Sequence, residues 1–292
     1  MKNLHLRKFF VFILMFAVLG FGCLMNYQPE VGAEETELTA EEERMQNGLT
    51  FSAKETYDTV KNLTTMPKTF EAYFNLPKTV NSRAGLLFGN YRSNTSLYCF
   101  TFEVHWANSK AYPKLYYDVD TPVGVSNPDP VNINFKSIDV RSDGYVHVVI
   151  THDPSTNTAK CYLNGELAEE ITYTENEYYG DYEFVPTTTT GVGGDYRTGN
   201  TCAFLGSIKS LAFYTDVRTD AEVKEDYEAV INAEKDNSLL APSDKADQTL
   251  LASYDLTQAG DAYLKDLSKN GYDLIHADDK GITYKGDTTV YE

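Results

Sequence analysis

Three consecutive runs decide the fold: Tyr145-Val146-His147-Val148-Val149-Ile150-Thr151-His152, then Lys160-Cys161-Tyr162-Leu163, then Asn164-Gly165 leading into Glu166–Thr172. Apolar and polar residues alternate through the first two, the pattern of strands with one face on a core. Asn164 and Gly165 both tolerate the positive φ angles of a type I′ turn, so Lys160–Leu163 and Glu166–Thr172 are expected to pair as a hairpin. Turn residues separate the 145–152 run from that hairpin, and no helix-period stretch intervenes.

Short runs of the same kind extend outward on both sides, at 69–76, 85–90, 97–104, 114–119, 131–135, 188–193 and 204–214. Strands at such close intervals predict an all-β, two-sheet antiparallel sandwich and argue against parallel βαβ units. Aromatic residues make up 13% of the chain, led by 22 Tyr and 15 Phe, which suit a pleated, half-buried surface. A single helix follows the last of these strands. Thr219-Asp220-Ala221-Glu222 is a capping-box pattern, and Val223, Tyr227, Val230 and Ile231 fall on one helical face, predicting a helix laid on the sandwich.

Of 292 residues 42% are hydrophobic, enough for one core of about 180 residues with segments to spare. The formal net charge of −18 repels phosphate backbones, which excludes nucleic acid as an expected partner. Lys2, Arg7 and Lys8 precede an apolar run from 9 to 25, and Val31-Gly32-Ala33 supplies small residues for a signal peptidase. The chain is therefore expected to be secreted or held at the cell surface, with cleavage after Ala33 and no membrane-spanning segment beyond it. An uncleaved anchor is the alternative, and lipidation of Cys23 ranks behind both. Cleavage leaves Cys99, Cys161 and Cys202, an odd set that allows at most one bridge; buried free thiols are the expectation.

The expected organisation is a leader over 1–33, an acidic linker or loose helix over 34–46, the sandwich over 47–233, a polar linker over 234–248 and a tail over 249–292. The tail has too few large apolar residues for a core of its own. It must dock on the sandwich, belong to a truncated second domain, or stay partly loose.

Several stretches resemble the laminin-G-like group of the concanavalin A-like lectin/glucanase superfamily in its bacterial form. They are Asn47-Gly48-Leu49-Thr50-Phe51, Thr69-Phe70-Glu71-Ala72-Tyr73-Phe74, Tyr145-Val146-His147-Val148, Cys161-Tyr162-Leu163-Asn164-Gly165-Glu166, and Phe204-Leu205-Gly206-Ser207-Ile208 through Phe213-Tyr214. The resemblance implies a jelly-roll sandwich. In the tail, Tyr254-Asp255-Leu256 with Asp266-Leu267-Ser268-Lys269-Asn270-Gly271 resembles the opening of another domain of the same type.

Function is less legible, because the matching residues are core and turn positions. The superfamily's glycosidases carry paired carboxylates in a Glu-x-Asp-x-x-Glu strand, and this sequence has no such pattern. The acidic group Glu175, Glu177, Asp181 and Glu183 is interleaved with Tyr, Asn and Gly and reads as a loop. No His follows Gly-Asn, as metallophosphoesterase chemistry would require. The expectation is a non-catalytic binding module for carbohydrate or a glycosylated extracellular or cell-surface protein. The alternative is an accessory domain of a truncated larger surface enzyme, a metallophosphoesterase or glycoside hydrolase, with a degenerate hydrolase as a distant third.

Sugar-binding members of the superfamily use aromatic faces with Asp, Asn and Arg, which implies His105, Trp106, Tyr116, Tyr117, Asp118, Asp195, Tyr196 and Arg197 as candidate ligand contacts. Members also carry calcium at the loop rim, and Asp118 and Asp120, two apart on a strand, are the candidate ligands here.

Overall fold

A computed structural model describes residues 38–51, 57–61, 63, 65–81, 85–89, 99–118, 131–174, 190–194, 204–241, 249–276, 283–285 and 288–290. The strands in chain order are β1 (Leu49–Thr50), β2 (Tyr57–Thr59), β3 (Thr69–Asn75), β4 (Gly85–Gly89), β5 (Cys99–Ala107), β6 (Lys110–Asp118), β7 (Val131–Asn134) and β8 (Val146–Asp153). They continue with β9 (Thr158–Leu163), β10 (Glu166–Thr172), β11 (Gly191–Val192), β12 (Ser207–Tyr214), β13 (Leu250–Asp255), β14 (Leu274–His276), β15 (Thr283–Lys285) and β16 (Thr288–Val290). Two α-helices are described, α1 (Ala40–Asn47) and α2 (Asp220–Asp236), with a short 3-10 helix at Gly260–Leu264.

Two antiparallel sheets face each other. The first runs β1-β12-β3-β8-β9-β10, with β13 also on β12, and the second runs β14-β2-β11-β4-β5-β6-β7. The expected hairpin forms as read: Leu163 pairs with Glu166 while Asn164 and Gly165 take φ of 50° and 80°. Asn108 and Ser109, at φ 51° and 62°, make the equivalent turn between β5 and β6.

Alternation sends Phe70, Phe74, Val148, Ile150 and Phe213 inward from the first sheet. Phe88, Phe100, Phe102, Leu115 and Ile133 meet them from the second. Phe88 stacks on Phe213 with centroids 3.7 Å apart, and Phe70 lies 5.8 Å from Phe100, so aromatic rings bridge the sheets. Each ring buried this way contributes about 2 kcal/mol of apolar burial.

The outer face of the first sheet is closed by α2. Thr219 and Glu222 complete the capping box that starts this helix. Val223 then packs on Val149 and Tyr162, and Val230 and Ala233 pack on Tyr73. Polar groups share this interface: Arg218 donates to Asp226 at 2.8 Å and lies over the Tyr214 ring, while His147 and Glu71 meet at 2.8 Å. Tyr227, expected on the apolar face, packs against the Gly165 turn and the His147 ring.

The stretch read as an acidic linker or loose helix contains α1, capped by Thr39 and Glu42. Gly48 ends it at φ 70°, where an added Cβ would stand 2.1 Å from the Ile208 carbonyl oxygen, so β1 can lie directly on β12. The tail joins both sheets. β13 pairs with β12, β14 pairs with β2, and Leu251, Tyr254, Leu256, Tyr272 and Leu274 enter the central core. β15 and β16 form a separate two-stranded hairpin. Cys161 is a free, buried thiol; the side chains of Cys99 and Cys202 lie outside the described residues.

Candidate functional site

α2 lies over the first sheet, and the outer face of the second carries a set of polar and aromatic side chains. Phe100, Phe102 and Val104 of β5 face the core, so Thr101, Glu103 and His105 face outward. The β5–β6 ladder sets Tyr116 opposite Thr101, Lys114 opposite Glu103 and Tyr112 opposite His105. The β6–β7 ladder adds Asn132 beside Tyr116 and Asn134 beside Lys114. Two rows of polar and aromatic side chains thus cross the sheet, Asn134-Lys114-Glu103 and Asn132-Tyr116-Thr101, with Tyr112-His105 next to the first.

Charge gathers at the centre. Glu103 is 1% exposed, and Lys114 Nζ lies 3.2 Å and His105 Nδ1 3.6 Å from its Oε1. Burying a carboxylate is costly without such a partner, and the ammonium supplies one. Lys114 Nζ also stands 5.5 Å from the Tyr116 ring centroid, and the His105 and Tyr112 rings are 5.6 Å apart. Burial, and then the negative charge of Glu103, raise the Tyr112 phenol above its ordinary range, so it remains a hydrogen-bond donor at neutral pH. Tyr116, Asn132 and Asn134 keep part of their surface open. The face offers hydroxyl, amide, ammonium and imidazole groups from one rigid ladder.

Of the residues singled out in the sequence, His105 and Tyr116 lie on this face. Trp106 and Tyr117, their neighbours in the chain, alternate to the other side. Trp106 is half-buried against the core with the Arg141 guanidinium 4.8 Å from its ring centroid, and Arg141 is fixed by Asp139 at 2.6 Å and the Ser109 carbonyl at 2.8 Å. Tyr117 is buried, with its hydroxyl 3.1 Å from His152 Nε2. Asp118 stands opposite Cys99 at the end of β6, and its side chain lies outside the described residues, as do Asp120, Asp195, Tyr196 and Arg197. Among the described residues no three His, Cys, Asp or Glu side chains gather as a metal site.

Glu103, Lys114, Tyr112, Asn132 and Asn134 were not singled out. Their signal is the alternation in Phe102-Glu103-Val104-His105 and Val131-Asn132-Ile133-Asn134, which marks the outward positions once these runs are read as strands.

Residues 50–224 match the family model of the concanavalin A-like lectin/glucanases superfamily, in its laminin-G type. The chain belongs to this superfamily. As a member it has no match among curated proteins in sequence. Its fold is similar to that of a Bacteroides ovatus protein proposed to bind carbohydrate, at 15% identity and a TM-score of 0.48, over 80% of this chain and 60% of that one. The superfamily member therefore spans less than two thirds of the length of that protein. It is also similar to the CBM40 module of a Ruminococcus gnavus IT-sialidase, at 19% identity and TM-score 0.42, over 61% of this chain and 95% of the module. A heptameric SAP-like pentraxin from Limulus polyphemus shares 10% identity at TM-score 0.47, over 80% of this chain and 93% of the pentraxin. Likenesses at these values concern the fold alone.

Proposed function

We propose that this protein is a secreted or cell-surface module that binds glycan, free or on a glycosylated protein, across the outer face of the second sheet without cleaving it. The observation that carries the reading is the ladder-registered surface of Tyr116, Asn132, Asn134 and His105 around the Glu103–Lys114 pair. Sugars present hydroxyls in both donor and acceptor roles plus an apolar C–H face. Amide and charged groups fixed on a ladder match the first, and a tyrosine ring matches the second.

The absence of cleavage belongs to the same proposal. Glycosidic hydrolysis uses two carboxylates about 5 to 9 Å apart, one of them protonated as the acid. Glu103 is instead buried in an ion pair with Lys114, whose Nζ lies 3.2 Å from its Oε1, so it holds Lys114 in place on the face. Calcium held by Asp118 and Asp120, and release of the mature chain by cleavage after Ala33, complete the proposal.

The test is a panel of polysaccharides and host glycans presented to the purified chain, with calcium or with chelator, while released reducing sugar is followed in parallel. Binding without release is expected, weakened about tenfold in Tyr116→Ala and in Asn132→Ala, a loss of about 1.4 kcal/mol. Unchanged affinity in both variants would remove the outer face from the site. Sugar release would overturn the non-catalytic reading, and indifference to chelator would remove calcium.

A further inference from the structure

Alternation in Phe102-Glu103-Val104 puts a carboxylate on the outward side of β5, where a solvated acid would be ordinary, yet Glu103 is 1% exposed. A carboxylate withdrawn from water in this way needs a countercharge held against it. Lys114, its ladder partner on β6, supplies that charge at 3.2 Å with its own side chain 14% exposed. The β5–β6 register holds the two residues opposite each other whatever lies above them.

The pairing sets the charge of the whole face. The neighbouring row, Asn132-Tyr116-Thr101, is uncharged, and Asn134, beside Lys114, is an amide. With histidine counted as neutral, as in the formal charge of −18, these rows and the Tyr112-His105 pair carry one positive and one negative group and sum to zero. The chain around them has 43 acidic against 25 basic residues, so the field arriving from the rest of the surface is negative. A ligand carboxylate or sulfate would have to share the Lys114 ammonium with the Glu103 carboxylate already beside it, and the two anions repel. A hydroxyl meets no such conflict. An ammonium carries three N–H donors, and the amides of Asn132 and Asn134 both donate and accept, which suits uncharged oxygens. The Tyr116 ring, its centroid 5.5 Å from Lys114 Nζ, sets an apolar surface beside these donors.

We propose, on the reading that this face is the glycan site, that the buried Glu103 makes it selective for neutral glycans over those that carry carboxylate or sulfate. Glu103 is a specificity-determining residue that touches no ligand. It acts by cancelling the charge of Lys114 while keeping its donors in place.

The purified chain is titrated against matched pairs that differ in charge: a glycoprotein after and before sialidase treatment, polygalacturonan with its carboxyls methyl-esterified or free, and dextran or dextran sulfate. In each pair that is bound, the neutral member is expected to bind at least about tenfold more tightly in about 0.05 M salt, with the gap closing as added salt screens the repulsion. Glu103→Gln keeps the side-chain shape and leaves the ammonium uncompensated, so the anionic member should become the tighter of the two. Glu103→Gln combined with Lys114→Gln removes both charges and should restore the neutral preference. Tyr116→Ala should weaken both members alike, which ties the preference to this face. A parent chain that binds the anionic member as tightly as the neutral one, with Tyr116→Ala still weakening both, overturns the selectivity and leaves the outer face as the site; this comparison needs no altered Glu103. A folded Glu103→Gln protein with the parent's preference also overturns it. Binding of no member of any pair, or binding indifferent to Tyr116→Ala, overturns the outer-face reading and the selectivity with it.

Discussion

His152 gives the sharpest quantitative test of the interior. Alternation turns it inward from β8, and its Nε2 lies 2.5 Å from the Tyr173 hydroxyl and 3.1 Å from that of Tyr117. Both hydroxyls lie within hydrogen-bond reach of this one ring nitrogen, whose single lone pair accepts from one of them when the ring is neutral and from neither as imidazolium. Burial pushes its pKa from 6.5 down to about 4, with the charge of Asp153 opposing weakly. A base depressed in the folded state costs nothing above its unfolded pKa, and stability is then lost as pH falls from 6.5 towards 4, where only the unfolded chain takes up the proton. The whole shift is worth about 3 kcal/mol, of which about 2 kcal/mol is lost between about pH 7.5 and about pH 5.

Asp139, held low by its hydrogen bond from Arg141, and Asp220, held low by those from Tyr162 and Lys160, withdraw their stabilisation only below the ordinary carboxylate range. Urea unfolding followed by fluorescence of Trp106, the single tryptophan, gives the free energy at each pH. In His152→Gln the amide can still accept from a phenol but cannot titrate. The variant is expected to be less stable at about pH 7.5, with the gap to the parent chain narrowing by about 2 kcal/mol at about pH 5. An equal loss in both proteins over that interval would refute the assignment.

Other consequences are as direct. Tyr254→Ala removes a fully buried ring from the central core and should cost about 4 kcal/mol, seen as a lower urea midpoint. Gly48→Ala places a methyl group against the Ile208 carbonyl at positive φ and should destabilise by about 3 kcal/mol, with protease nicking near α1 as a second readout. Asp266→Ala strips the acceptor from four donors and should cost about 3 kcal/mol by the same unfolding assay.

Much of the fold could be read from local rules. The Asn164-Gly165 turn, the capped helix and the alternating runs each reflect chemistry complete within a few residues. Trp106 and Tyr117 show where local reading stops: one residue along a strand reverses the face, so aromatic character alone does not distinguish Tyr116 on the surface from Tyr117 in the core. Glu103 and Lys114 are 11 positions apart, and only the ladder makes them a pair. The tail looked too poor in apolar groups to stand alone, yet its role in the core depends on partners such as Ile208 and Tyr57, far away in sequence. The short pairing of β2 with β14 carries no sequence signal of its own.

The contacts between α1 and the later part of the chain bear on mechanics. Arg44 donates to the Gln258 carbonyl and stacks 4.1 Å over the Tyr263 ring, Glu41 accepts from Gly260 N at 2.9 Å, and Tyr263 and His276 both lean on Tyr57. The two ends of the sandwich, near 38 and near 276, therefore converge on one aromatic run. Tension applied between those ends would pull on this knot first and leave the long ladder of β5 and β6 slack. A load shared by both ends would meet this fastening before it reached the outer face of the second sheet.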